Sequence, residues 1–338
     1  MAWRCPIAGA GRKAFPPEHR SSLRRRRALN SRFQMLRSEI ELLTQAERNI
    51  ALDSLTTQNL IPGVFDGATA YVCLPNEIRP QFASAVVDFF KAAFAALSSL
   101  GIRDRQYEIV YESIPAHVCA FCGVEPLDAP VAEIPRENLD HYLAFSIYPF
   151  AAVNLRNLAP MGQKCNSSYK RAANIIVGGN GARRRCFDPY GNQSATISLL
   201  QSRPFEGATK DLFVLPDWHI EFTGLEEETA TWDSVFNIRA RYKVNVLDSE
   251  LRSWIDHFAQ WWAYDVVQPP ADIPSVIVLL RRYIDGVVQE GFSDHTFLKR
   301  AAFEMFAYQC GQPNTGERLA EWFISLLSPQ TGAVLPGQ

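Results

Sequence analysis

Apolar residues recur near helical spacing over Ser31–Ala51, at Phe33, Leu36, Ile40, Leu43 and Ile50, which predicts a helical segment. Residues 60–77, punctuated by Pro62, Gly63, Gly67 and Pro75, read as a loop with short extended pieces. A stronger stripe over 78–100 runs through Phe82, Val86, Phe89, Phe90, Ala93, Leu97 and Leu100, with Gly101 placed to stop the helix. The pattern then changes. Residues 115–180 are rich in Cys, Asn, Asp, His and Pro and have weak periodicity, as suits a small site-bearing module. Strands are predicted within 181–225, at Thr196–Leu200 and His219–Phe222. One or two helices follow over 232–264, with Trp254, Ile255, Phe258, Trp261 and Trp262 on one face. Pro269-Pro270 breaks the chain, and further helices are expected over 273–290, 294–308 and 316–327.

The expectation is an α+β protein: a small module at 115–180, a helical region at 31–114, and a strand-then-helix region at 181–338. The 338-residue length suits two or three domains, or one with large extensions. With 47% hydrophobic and 21% charged residues the chain reads as soluble and globular. No run of 18 apolar residues suggests a membrane span, and no apolar run beside the early arginines suggests a secretory signal. Seven cysteines, an odd number, argue against a disulfide framework and for a reducing cytoplasm.

Net charge is −2 overall, yet residues 1–40 hold ten Lys or Arg against Glu18 and Glu39. That asymmetry hints at a nucleic-acid-facing segment. Its plainer reading is a solvated basic tail over 1–30, ending in Arg24–Arg27.

Three pieces carry candidate chemistry: Cys119-Ala120-Phe121-Cys122-Gly123, Leu139-Asp140-His141-Tyr142, and Asn157-Leu158-Ala159-Pro160 running on to Lys164-Cys165-Asn166 and Lys170. Phosphodiester hydrolysis needs a base for water, and a neutral imidazole such as His141 suits that near neutral pH. It also needs positive charge at the phosphate and leaving oxygens, which a divalent cation supplies. Mg²⁺ or Mn²⁺ takes oxygen ligands such as the Asp140 carboxylate and the Asn166 amide. Neighbours on a strand point to opposite faces, so Asp140 and His141 can share one site only at a bulge or a strand end.

The ordered set Asp-His, Asn-Leu, Cys-Asn, with nine residues from Asn157 to Asn166 and a cysteine pair upstream, resembles the HNH family of ββα-metal nucleases. The resemblance covers about 117–170. It implies a ββα-metal module at 115–180 with His141 as general base and Asn157 positioning it. It also implies that Asp140 and Asn166 hold catalytic Mg²⁺ or Mn²⁺. The substrate implied is DNA, and the residues suit RNA as well. The run around Asp140-His141 is similar to a bacterial subgroup associated with phage defence and mobile elements. A non-catalytic nucleic-acid-binding protein, or a component fired by a protein partner on the helical C-terminal half, is the alternative.

The family's structural zinc knuckle is matched by Cys119, Cys122 and Cys165. Gly162 stands where a fourth ligand usually falls. His117 or Cys186 could complete the site at unusual spacing, or the cysteines could pack as small hydrophobes. Lys170, Arg183, Arg184 and Arg185 are candidate phosphate contacts, against a plain reading as a solvated lysine and a surface loop. Arg239, Arg241, Tyr242 and Lys243 read as a charged helix face, and His219, His257 and His295 as structural.

Overall fold

The computed structural model describes residues 20–70, 73, 78–114, 116–210, 213–265, 268–288 and 291–328. The architecture is mainly helical α+β with short two-stranded sheets. The chain divides into two compact units, one made of 1–117 with 127–191 and the other of 118–126 with 192–338.

The first unit begins with α1 (Arg20–Arg24) and α2 (Arg27–Glu41). The arginine run read as the end of a tail is therefore the junction of two helices, with Arg25 and Arg26 in the turn between them, and the Arg26 guanidinium bonds the Ser99 hydroxyl and carbonyl. The rest of the expected tail, 1–19, lies outside the described residues. α3 (Gln45–Gln58) starts at a capping box in which Thr44 and Glu47 bond each other's backbone N–H. The expected loop after it instead opens with a short helix, α4 (Ile61–Phe65), because Pro62 sits in its first turn, where no N–H is needed. The extended pieces expected beyond Ala70 lie largely outside the described residues.

α5 (Pro80–Ser99) and α6 (Ile102–Ser113) meet at Gly101, whose φ of +68° turns the chain between them. Phe82, Ala85 and Val86 of α5 pack with Leu36, Leu43, Ile78 and Phe150 in one buried cluster. α5 has 20 residues and a mean hydropathy of 1.4 over its best window, long and apolar enough by composition to cross a membrane.

β1 (Leu139–His141) pairs antiparallel with β2 (Leu158–Pro160), joining Leu139 to Pro160, Asp140 to Ala159 and His141 to Leu158. Three pairs make a weak hairpin by themselves. Leu139 and Leu158 therefore matter, packing with Tyr107 of α6 in a cluster that also takes in Phe94, Leu97 and Tyr111. Beyond β2, Cys165–Lys170 forms a wide helical turn with i→i+5 bonding.

The second unit carries β3 (Thr196–Ser198) paired with β6 (Glu221–Thr223), and β4 (Thr209–Lys210) paired with β5 (Phe213–Val214). Both predicted strands fall on the first pair. Helices α7 (Glu226–Phe236), α8 (Ile238–Tyr242), α9 (Asp248–Asp265), α10 (Ile273–Gly286), α11 (Thr296–Cys310) and α12 (Gly316–Leu327) complete the unit. Asn237, left-handed at φ 52°, separates α7 from α8. The core is aromatic: the Phe258 ring meets Tyr283 at 5.0 Å, Phe303 at 5.5 Å and Phe323 at 5.7 Å. The stripe read as core is core at Trp254, Ile255 and Phe258. His257 Nδ1 lies 2.6 Å from the Tyr283 hydroxyl, and His295 Nδ1 2.7 Å from Glu250.

Replacing Phe258 by Ala should cost about 3–5 kcal/mol, as for a large ring removed from a packed core. Urea unfolding checks this as a lower midpoint at an unchanged slope. A loss below about 1 kcal/mol would mean that the ring cluster does not hold these helices together.

Candidate functional site

β1 has no bulge. Alternation therefore sends Leu139 and His141 inward and leaves Asp140 half-buried on the other face. His141 is the last residue of the strand. Of the two conditions under which it could share a site with Asp140, the strand end is the one met.

The His141 ring is 9% exposed. It lies 4.3 Å from the Phe94 ring of α5 and 5.7 Å from Phe145. Its Nε2 is 3.0 Å from the Ala152 carbonyl. A carbonyl only accepts, so Nε2 carries the proton and Nδ1 keeps its lone pair in the neutral ring. Burial lowers the His141 pKa below its ordinary 6.5, against the Ala152 bond and the Asp140 charge, which raise it; Lys170 and Arg103 push it down further.

Asn157 is fully buried. Its Oδ1 accepts the Leu143 N–H at 2.6 Å, and its Nδ2 donates to the Leu143 and Ala151 carbonyls at 3.2 Å each. The amide thus fixes the chain just after β1 and the residue before Ala152, whose carbonyl holds His141.

Lys170 departs from both readings made of it. It is neither solvated nor free for a phosphate, because its side chain is 1% exposed, against 24% for Asp140, and Nζ lies 3.3 Å from Asp140 Oδ2. Nζ also donates to the Arg171 carbonyl at 3.2 Å. Asn166 is half-buried on the same turn, one helical step from Lys170. Asp140 and Asn166 are hard oxygen donors, which fits Mg²⁺ or Mn²⁺, and the ammonium on Asp140 is a competing cation.

The arginine run is also spent inside the first unit. Arg183 donates to the Ile176 carbonyl at 3.2 Å and bonds the Val64 carbonyl. Arg184 donates to the Ile175 and Asn174 carbonyls at 3.0 and 2.8 Å. Arg185 is exposed. Buried carbonyls in a segment with little sheet need donors, and these guanidinium groups supply them.

Cys119, Cys122 and Cys165 are buried, and their sulfurs lie within 4.8 Å of one another. Such a cluster could hold a metal ion such as zinc, whose bonds to thiolate are about 2.3 Å. In the 118–126 loop the Glu125 N–H donates to Cys122 Sγ at 3.5 Å. The Trp232 indole and Tyr242 hydroxyl donate to the Phe121 and Cys122 carbonyls at 2.7 and 2.8 Å, and Arg241 pairs with Glu125 at 2.6 Å. Gly123 needs its φ of +67°, and a Cβ there would meet the Phe292 ring at 3.0 Å. Neither further ligand considered joins the three. His117 stacks on Tyr111 and bonds its carbonyl, and the Cys186 thiol, pushed up to about 12 by burial, bonds Tyr142.

Sequence reading missed Phe94, Phe145 and Ala152 as the surroundings of His141, and missed Lys170 as the partner of Asp140. For Lys170 a signal existed: four residues after Asn166 on a helical turn, it shares that residue's side. No family model, curated protein or solved structure matches the chain in comparison.

An NMR titration of the His141 ring should give a midpoint below 6.5. The stability linked to the neutral ring is complete above pH 6.5. It is lost as pH falls through the folded-state midpoint, since the unfolded ring takes the proton first. A midpoint at or above 6.5 would show that burial does not govern this ring. Elemental analysis of the purified chain should find about one zinc per molecule, lost on Cys122→Ser. Equal zinc in both proteins would remove the cluster as the ligand set.

Proposed function

We propose that the chain is a metal-dependent, HNH-type endonuclease that hydrolyses phosphodiester bonds in DNA, with His141 as the general base. The observation that carries the reading is the Nε2–Ala152 hydrogen bond, which leaves Nδ1 as the proton-accepting nitrogen of a neutral imidazole at the end of β1. Its support is Asn157, whose three bonds hold the backbone that orients the ring. An antiparallel hairpin followed by a helical turn bearing Asn166 fits the motif order of the resemblance.

In this reading His141 Nδ1 takes a proton from the attacking water. Phe94 and Phe145 keep the ring neutral by limiting its hydration. Asp140 and Asn166 hold Mg²⁺ or Mn²⁺, which when bound supplies positive charge at the phosphate and leaving oxygens. Lys164 and Arg171, exposed at either end of the turn, offer charge to the strand backbone. RNA meets the same chemical demands.

A second reading has one observation in its favour. Lys170 already neutralises Asp140, as expected of a nucleic-acid-binding protein without chemistry or of a nuclease held idle until a partner acts, as in a phage-defence system.

Plasmid nicking with Mg²⁺ or Mn²⁺ separates them. The wild-type chain should cut, and His141→Ala should slow cutting at least about 100-fold, the range for a lost general base. Equal cutting by both rejects His141 as the base. Cutting by the wild type only after a second protein is added supports the partner-activated form.

A further inference from the structure

Three costly features fall within seven residues. Cys165–Lys170 is a wide helical turn rather than an α-helix, a form found mostly as local bulges and often at functional sites. Lys170, a residue seldom fully buried, is 1% exposed. Arg171 has φ 47° and ψ −123°, a backbone region that strains any residue with a Cβ. All three converge on one carboxylate. The turn brings Lys170 under β1, its ammonium meets Asp140 Oδ2 at 3.3 Å, and the bent Arg171 backbone turns its carbonyl to the same ammonium at 3.2 Å.

A buried ammonium needs compensation, and Asp140 with the Arg171 carbonyl supplies it. The same bond gives Asp140 a +1 partner on one oxygen. A divalent ion approaching that carboxylate meets a neutralised pair and the repulsion of the ammonium.

We propose that Lys170 is a resident cation at Asp140 that competes with the divalent ion and so sets how tightly the site loads with metal. This rests on the reading of Asp140 as a metal ligand. Metal entry moves Nζ off Oδ2, and a nucleic-acid phosphate, adding negative charge beside the pair, favours loading. Without nucleic acid the wild-type site holds Mn²⁺ weakly.

The test is Mn²⁺ binding by the full zinc-supplied chain, followed by electron paramagnetic resonance of the free ion without nucleic acid. Asp140→Ala identifies the site by removing it; binding unaffected by that change overturns the proposal together with the assignment of Asp140. Lys170→Met should bind Mn²⁺ at least about tenfold more tightly than wild type, while Lys170→Arg, which keeps the charge, should stay within about twofold. Binding by Lys170→Met equal to or weaker than wild type overturns the proposal. Should Lys170→Met fail to fold, the wild-type chain carries the test. With lysine labelled at Cε, the Lys170 signal, assigned by its loss in Lys170→Arg, should shift as Mg²⁺ is added, and a signal unmoved at saturation overturns the proposal. Tighter binding by Lys170→Met with no nicking by any variant would keep this inference and remove the nuclease. Nicking that depends on His141, with Mn²⁺ binding indifferent to Lys170, would remove only this inference.

Discussion

The amide of Asn157 is the constraint on which the site's geometry depends. β1 and β2 share three residue pairs, too few to hold the sixteen-residue connection between them in one shape. A buried amide left without partners costs about 1–3 kcal/mol for each unmet group, so the connection is fixed wherever it must satisfy this side chain. Leu143 is bonded at both its N–H and its carbonyl, and Ala151 at its carbonyl. With Ala151 fixed, the Ala152 carbonyl is fixed, and with it the orientation and tautomer of His141. A side chain acting through the backbone thus decides which nitrogen of the neutral imidazole carries the proton.

Burial acts in the same direction on the two basic residues of the first unit's site, with different outcomes. His141 meets desolvation by giving up its proton, which costs little because its ordinary pKa is near neutrality. Lysine ordinarily titrates far higher, near 10.4. Lys170, although burial lowers its pKa, has the Asp140 carboxylate raising it. The local charges are therefore coupled. Asp140 favours protonation of His141, and Lys170 opposes it. Pairing Asp140 with Lys170 weakens one of the two influences that raise the His141 pKa, the other being the Ala152 bond, so the ion pair helps keep the imidazole neutral.

The helical frame was legible because its apolar stripes are long: α5, α10 and α12 fall within predicted segments, and α9 and α11 overrun theirs by one and two residues. The hairpin registers on motif residues for a different reason. Asp140-His141 and Asn157-Leu158 are polar residues beside leucines that must be buried, and Leu139 and Leu158 join one cluster. What was not legible depends on side chains that reach across the fold. The contact of His141 with Phe94 joins residues 47 positions apart in the sequence, and an apolar residue on a helix gives no sign that it faces an imidazole rather than a leucine. α4 was lost because proline and glycine signal a loop, while Pro62 occupies the one turn of a helix that tolerates it.

The basic clusters show why charge read along a chain misleads about partners. Arginine is a fork of donors as much as a charge, and a segment with few strands leaves carbonyls that must find donors. Arg183 and Arg184 serve Asn174, Ile175 and Ile176, and Arg26 serves Ser99. These groups are already engaged within the protein, so recruiting them to a phosphate would leave backbone carbonyls unmet. On the proposed reading, attraction for a nucleic acid would come from exposed cations such as Arg171, at the end of the turn carrying Asn166.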